Sequence, residues 1–213
     1  SLVLNMDETG INMIPAGAKS FAPTGSKQVP GSVKKSRSQI SKVTMISLEG
    51  ELLPYQLIFT GKTQRSVPLD VEPTPGSKYT QSPSHFATVT TQLELVNQII
   101  VPYVKNKRLE LYRDQEAQHE EDNTVPAVLI WDNHSTHLDK SVVDLLNQNH
   151  IFAFPLPANC TSKYQPLDAL FNGLEKRHLI ANFSEWHIQA LQAHANPDEA
   201  VVDVLPGSVG GKR

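Results

Sequence analysis

The strongest structural signal in this chain is residues 128–134, which read Val128-Leu129-Ile130-Trp131-Asp132-Asn133-His134. Four apolar residues without a polar interruption are typical of a strand buried on both faces. The run stops at an acid, and open α/β sheets place their sites at the carboxyl ends of strands. The stretch therefore predicts an α/β fold with Asp132 at the edge of a functional site.

Two other acids stand in comparable places. Asp7 closes the short run Leu2–Met6, and Asp168 follows Gln165-Pro166-Leu167 at the start of a predicted helix. Three carboxylates on three elements indicate one metal-binding cluster, because hard divalent cations such as Mg²⁺ take oxygen ligands. The structural alternative, a turn acid and a helix-cap acid, stays open for Asp7 and Asp168. It is weaker for Asp132, whose charge gives a buried strand no obvious benefit.

The remaining pattern predicts the sheet and its helices. Three strands at about 2–7, 40–48 and 53–59 are expected to form an antiparallel meander. The 128–131 strand, a helix and a strand over 151–154 form a unit that implies parallel pairing. Apolar spacing over 93–104 predicts a helix that Pro102 kinks or ends. Residues 63–83 are rich in Pro, Ser and Thr and are not expected to be regular.

Two further segments shape the predicted domains. Residues 106–126 are polar and acidic, and we expect a surface insertion there. A helix is predicted from about Gln165 to Phe183, and a second amphipathic stretch from Ser184 is expected to pack back onto it. The predicted organisation is one α/β domain over 1–183, which carries the candidate acids, followed by a C-terminal helix and frayed tail over 184–213.

Bulk properties exclude several classes of protein. The 213 residues provide for one full α/β domain. No run is as long as a membrane span, and the N-terminus lacks the layout of a signal peptide, so neither membrane insertion nor secretion is expected. Cys160 is the single cysteine. A single cysteine cannot form an intrachain disulfide, which fits a reducing compartment. It is also a weak candidate for a nucleophile, because the sequence shows no base paired with it.

The charged residues are unevenly distributed, although the formal net charge is only -3. Basic side chains crowd residues 27–42, with Lys62 and Arg65 following, while acids crowd residues 116–122. Solvated surface is one interpretation of the basic segment. Contact with nucleic-acid phosphates is the other if a metal site exists, and the candidate residues are then Lys34, Lys35, Arg37 and Lys62.

A rival metal site uses histidines. His134 and His137 together with Asp132 offer ligand types that suit Zn²⁺ or non-haem iron. The His-x-x-His spacing in a predicted turn is a weak signal. The alternative is that His137 caps the following helix or packs beneath the site.

Three blocks of sequence resemble one known family. They are Asn5–Gly10, Leu129–His137 and Leu156–Asp168. In this order they resemble the DDE superfamily endonuclease domain, most closely the pogo/Tigger branch of the mariner-like transposases. That branch also gave rise to centromere protein B-like domesticated proteins. The resemblance covers about residues 2–180.

The resemblance implies a fold, a site and a reaction. The implied fold is ribonuclease H-like, with a mixed five-stranded sheet of meander and parallel strands flanked by helices. Matched motif by motif, Asp7, Asp132 and Asp168 are the metal-binding catalytic acids, and Glu175 is a fallback third acid. The implied cofactor is Mg²⁺ or Mn²⁺, as two ions. The implied reaction is cleavage and strand transfer of DNA.

The resemblance also implies partners: DNA at transposon ends and target, a homodimer of the full-length protein, and nuclear residence in a eukaryotic host. An N-terminal helix-turn-helix domain is missing from this sequence, which we therefore expect to be part of a longer protein. The acidic segment near 114–122 departs from the family pattern. The alternative function is a domesticated DNA-binding or dimerisation module without catalysis.

Overall fold

The structure, a computed structural model, describes residues 1–13, 39–68, 70–112, 125–157 and 164–193. One six-stranded sheet organises them, with strand order β4-β3-β2-β1-β5-β6. Its strands are β1 (Val3–Asn12), β2 (Gln39–Ser47), β3 (Gln56–Thr60), β4 (Lys78–Ser82), β5 (Ala127–Trp131) and β6 (Ile151–Pro155).

The strand directions confirm the predicted fold class. β1, β2 and β3 form an antiparallel meander, and β5 pairs parallel with both β1 and β6. This mixed sheet with flanking helices is the ribonuclease H-like arrangement. The prediction of five strands was wrong, because β4 pairs parallel with β3 within the stretch expected to be irregular. Its sequence Lys-Tyr-Thr-Gln-Ser has no apolar alternation, since its buried residues are Thr80 and Ser82.

The predicted central helix is longer than expected. Helix α1 (Val89–Leu95) continues through a π turn (Val96–Ile100) into α2 (Val101–Tyr112). Pro102 lies in the second position of α2, just after the π turn, so the expectation that it might end the helix was wrong. The expected surface insertion was wrong for residues 106–112, which belong to α2, and residues 113–124 lie outside the described part.

The two faces of the sheet differ in chemistry. On one face, Leu4 and Met6 of β1 and Leu129 and Trp131 of β5 are fully buried in the apolar core, beneath α1, α2 and α3 (Lys140–Gln148). Opposite pairs in a ladder share a face. The other face therefore carries a set that we call the aspartate face: Asn5, Asp7 and Thr9 of β1 with their partners Ile46, Thr44 and Lys42 of β2.

Arg108 fixes the starts of the two parallel strands that follow the meander. This side chain of α2 is 3% exposed and donates to the carbonyl oxygens of Val125, Asn149 and His150, at 2.9, 3.0 and 3.0 Å. Those carbonyls lie just before β5 and β6.

We expect Arg108→Met to lower the free energy of unfolding by about 3 kcal/mol, because buried acceptors would lose a charged donor. Urea denaturation measures this change. Lys105→Met, at an exposed position of the same helix, is the matched control and should change stability by less than about 0.5 kcal/mol. Equal effects of the two variants would contradict the structural role of Arg108.

The described residues fall into two compact units. The first contains the sheet and runs through to Gly173, and the second contains residues 174–193. Helix α4 (Asn172–Ala193) begins in the first unit and continues through the second without a break. The expected second helix from Ser184 that packs back was therefore wrong. Within the second unit, the Phe183 ring lies 5.5 Å from that of Trp186 and stacks on His187.

No helix in the described part of the chain has both the length and the apolar character needed to span a membrane.

Candidate metal centre

Two of the three predicted acids meet on the aspartate face. Asp7 lies within β1 and is 6% exposed, whereas Asp168 lies in a second π turn (Leu167–Phe171) and is exposed. One side-chain amide bridges their carboxyl groups. The Asn172 amide donates from Nδ2 to Oδ2 of Asp7 at 2.6 Å and to Oδ1 of Asp168 at 3.4 Å. The pair thus has one buried member and one member open to solvent.

The proximity of two carboxyl groups changes their proton chemistry. Burial raises the pKa of Asp7 from 3.8 to about 7, and the hydrogen bond and charge repulsion from Asp168 add to the shift. Hydrogen bonds from Gln165 and Asn172 oppose it. A second negative charge at this position is therefore costly unless a proton or a cation compensates it.

Gln165 and Asn5 connect the π turn to the sheet. Gln165 is fully buried and donates to the backbone carbonyl of Met6 at 2.6 Å. Asn5 donates to Oε1 of Gln165 at 3.1 Å and to the carbonyl of Ile130 at 3.2 Å. These bonds join β1 and β5 to Gln165, which lies two residues before the π turn, so they set the position of Asp168 relative to Asp7.

Asp132 lies one residue beyond the end of β5. Because Asn5 pairs with Ile130 in the parallel register, Asp132 is level with Asp7 on the neighbouring strand. Its Oδ1 contacts Nδ1 of His137 at 2.6 Å and accepts from the backbone N–H of His134 at 3.2 Å. The hydrogen bond from His137 is the main reason that the pKa of Asp132 is lowered.

His137 is part of the frame that holds Asp132. It is 3% exposed and stacks on the buried Trp131 ring, with centroids 4.7 Å apart. This position agrees with the alternative interpretation of the sequence, in which His137 packs beneath the site.

The structure brings two of the three predicted acids close together. It joins Asp7 to Asp168 and places Asp132 at the same level with its carboxylate directed to His137. Among the described residues, no three His, Cys, Asp or Glu side chains lie close enough together to hold a metal ion. This also applies to the rival set of Asp132, His134 and His137. The fallback acid Glu175 lies in the first turn of α4, in the second unit.

Only one of the predicted phosphate contacts is described. Lys62 is exposed just after β3, whereas Lys34, Lys35 and Arg37, like Cys160, lie outside the described residues. Lys42 of the same basic segment is buried on the aspartate face. Its ammonium lies 4.8 Å from the Tyr55 ring centre and 6.0 Å from that of Phe171, which belongs to the π turn.

The sequence prediction missed the amides of the site. Asn5, Gln165 and Asn172 position the acids, yet none was predicted to do so. A signal was present in Asn5, because it is a polar residue inside an apolar strand and such a residue requires a buried partner. Asn172 gave no comparable signal, since it lies in a polar helix start.

Comparisons with known proteins find similarity in three dimensions alone. No family model matches the chain, and no curated protein matches it. Similar solved structures include the catalytic domain of Mos1 mariner transposase, with 15% identity and a TM-score of 0.48 over 93% of this chain and 74% of that chain. Another is the Mos1 mariner paired end complex with Mn, with 15% identity and a TM-score of 0.49 over 93% of this chain and 50% of that one.

The Mos1 transposase paired-end complex with left transposon end gives 15% identity and a TM-score of 0.48, over 92% of this chain and 49% of that chain. The present chain thus spans about half the length of the Mos1 chains in those complexes. Similarity at this level does not establish the family, the activity or the ligands of this chain.

Proposed function

We propose that this chain is the catalytic core of a DNA transposase of the mariner-like DDE type, and specifically of its pogo/Tigger branch. It would cleave and join DNA phosphodiesters with a divalent cation. The observation that carries the proposal is the bridging of Asp7 and Asp168 by the Asn172 amide, level with Asp132 on the next parallel strand. These are the acids of the three sequence blocks, on a ribonuclease H-like sheet.

The side chains present fit Mg²⁺ or Mn²⁺. The donor set is entirely oxygen, as these hard ions prefer. A cation between Asp7 and Asp168 would replace the proton that their proximity otherwise requires. Asp7 and Asp168 would hold it, and Asp132 would contribute to a second ion. Within the described residues, both polar contacts of the Asp132 carboxylate use Oδ1, which leaves Oδ2 for this purpose.

The protein residues have separate tasks in this reaction. Bound cations of this kind lower the pKa of a water and stabilise a departing 3′ oxygen. Gln165 and Asn5 keep the π turn registered against β1, so that the acids keep their spacing. Exposed Asp168 leaves the pair open to solvent and hence to a DNA strand. Lys62, Lys34, Lys35 and Arg37 are the proposed phosphate contacts, which predicts salt-dependent binding.

The proposed partners are the two DNA substrates, transposon end and target, and a second copy of the longer protein. Pairing two DNA ends in one reaction favours a homodimer, and a DNA substrate in a eukaryotic host favours the nucleus.

A second candidate function is a domesticated relative that binds DNA without cutting it. The observation that favours it is that Asp132 Oδ1 contacts His137 and that, among the described residues, no three acids lie close enough together to hold one metal ion.

Nicking of supercoiled plasmid separates these two functions. With Mn²⁺ or Mg²⁺ the active core should convert supercoiled DNA to open circles, and EDTA or Ca²⁺ should prevent this. Calorimetric titration with Mn²⁺ accompanies the assay. Cation binding together with nicking supports the transposase core. DNA binding with neither cation binding nor nicking contradicts it and favours the silent module.

A further inference from the structure

Asn172 has an unusual hydrogen-bonding state at the acid pair. The residue is 4% exposed, and its Nδ2 lies between the two carboxyl groups. Its Oδ1 is buried and has no hydrogen-bond partner among the described residues. Buried amide oxygens in native proteins almost always have a partner. The amide therefore has a satisfied donor end at the two acids and an unsatisfied oxygen end.

The local backbone explains how Asn172 reaches the pair. The N–H of Asn172 donates to the carbonyl of Leu167, five residues earlier, which is the π-turn bond. Asp168 and Asn172 are four residues apart on this turn, and the Asn172 amide donates to Asp168 at 3.4 Å. π turns inside helices occur frequently at functional sites.

The two ends of the amide suit two states of the pair. Without a cation, two carboxyl groups require donors, and Nδ2 supplies them. With a cation, a donor would face positive charge, whereas the amide oxygen is an established ligand of hard cations. Exchange of the two ends needs only rotation about one side-chain torsion, since the oxygen and nitrogen are nearly the same size.

We propose that Asn172 is an oxygen ligand of the cation held by Asp7 and Asp168, and that it presents Oδ1 to the ion and Nδ2 to the empty pair. This inference rests on the proposed function. It adds a fourth residue to the three acids. With this residue, the ion at the Asp7–Asp168 side of the site has three protein ligands without any contribution from Asp132.

The test is Mn²⁺ affinity, measured by calorimetry and by the loss of the free-Mn²⁺ electron paramagnetic resonance signal. Asn172→Ala should weaken Mn²⁺ binding about 10–100-fold, as loss of a supporting group at a metal site does. Asn172→Asp supplies an oxygen but no donor, so it should bind Mn²⁺ at least as tightly as the unchanged chain. If Asn172 acts only as a donor that positions the acids, Asn172→Asp should instead weaken binding.

Controls separate this inference from the proposed function. Asn147→Asp, on the exposed side of α3, tests whether added charge alone changes affinity and should leave it unchanged. Thermal unfolding in EDTA identifies any variant that fails to fold, and either folded Asn172 variant decides the outcome. If Asp7→Ala and Asp168→Ala keep full Mn²⁺ affinity, the proposed function fails. If both acids are required but Asn172→Ala binds normally, or Asn172→Asp binds weakly, only the ligand role of Asn172 is overturned.

Discussion

Replacement of Asp7, Asp132 or Asp168 by alanine is expected to lower Mn²⁺-dependent nicking by on the order of 10³-fold or more. The reason is that each acid would hold a cation that acts directly on the reacting phosphodiester. Loss of one transition-state donor in other enzymes already costs about 10²–10³-fold. Single-turnover nicking of supercoiled plasmid at saturating protein measures the effect.

Asp144→Asn is the matched control, because Asp144 is a partly exposed acid of α3 paired with Lys140. It should nick at the normal rate. If Asp132→Ala nicks normally while the other two variants do not, Asp132 is not part of the catalytic site and its contact with His137 is purely structural. Normal Mn²⁺ binding by Asp7→Ala, with loss in Asp132→Ala and His134→Ala, would favour the rival histidine site.

Asp7→Asn is expected to stabilise the cation-free protein at pH 8 by on the order of 2–4 kcal/mol. The pKa of Asp7 is raised to about 7 in the folded chain, from 3.8. The folded state therefore keeps a proton that the unfolded state releases between about pH 4 and 7. In that window the free energy of unfolding falls as pH rises, and above it the loss is complete. An amide at residue 7 carries no such charge.

Urea denaturation in EDTA at pH 4, 6 and 8 measures this difference. The gap between Asp7→Asn and the unchanged chain should be small at pH 4 and should widen up to about pH 7. Addition of Mn²⁺ at pH 8 should stabilise the unchanged chain but not the variant, because only the charged pair binds the ion. A variant that is less stable than the unchanged chain at pH 8 would contradict the assignment of Asp7 as a destabilising buried charge.

The sequence predicted those parts of the fold that depend on apolar periodicity. The meander, the parallel β5–β6 pair and the central helix were all confirmed, because their core positions are regularly spaced apolar residues. Strand β4 escaped prediction since its buried side chains are Thr80 and Ser82. The continuous α4 was missed because no local signal distinguishes one long helix from two short ones.

The site was predictable only as far as its acids. An acid at the end of a buried strand is conspicuous, so Asp132 could be found from one segment. The approach of Asp168 to Asp7 depends instead on Gln165, which bonds to β1 from 159 residues away along the chain. Whether all three acids act together remains a prediction, since the Asp132 carboxylate contacts His137.

The position of Asp7 on β1 has a consequence for how the site can move. β1 is hydrogen-bonded to β2 on one side and to β5 on the other, so its backbone has little freedom to shift. Asp168 is carried by a short π turn that side-chain amides on either side of it, Gln165 and Asn172, tie to β1. Any adjustment of the distance between the acids during a reaction cycle must therefore come from the turn, with the central strand as the fixed reference.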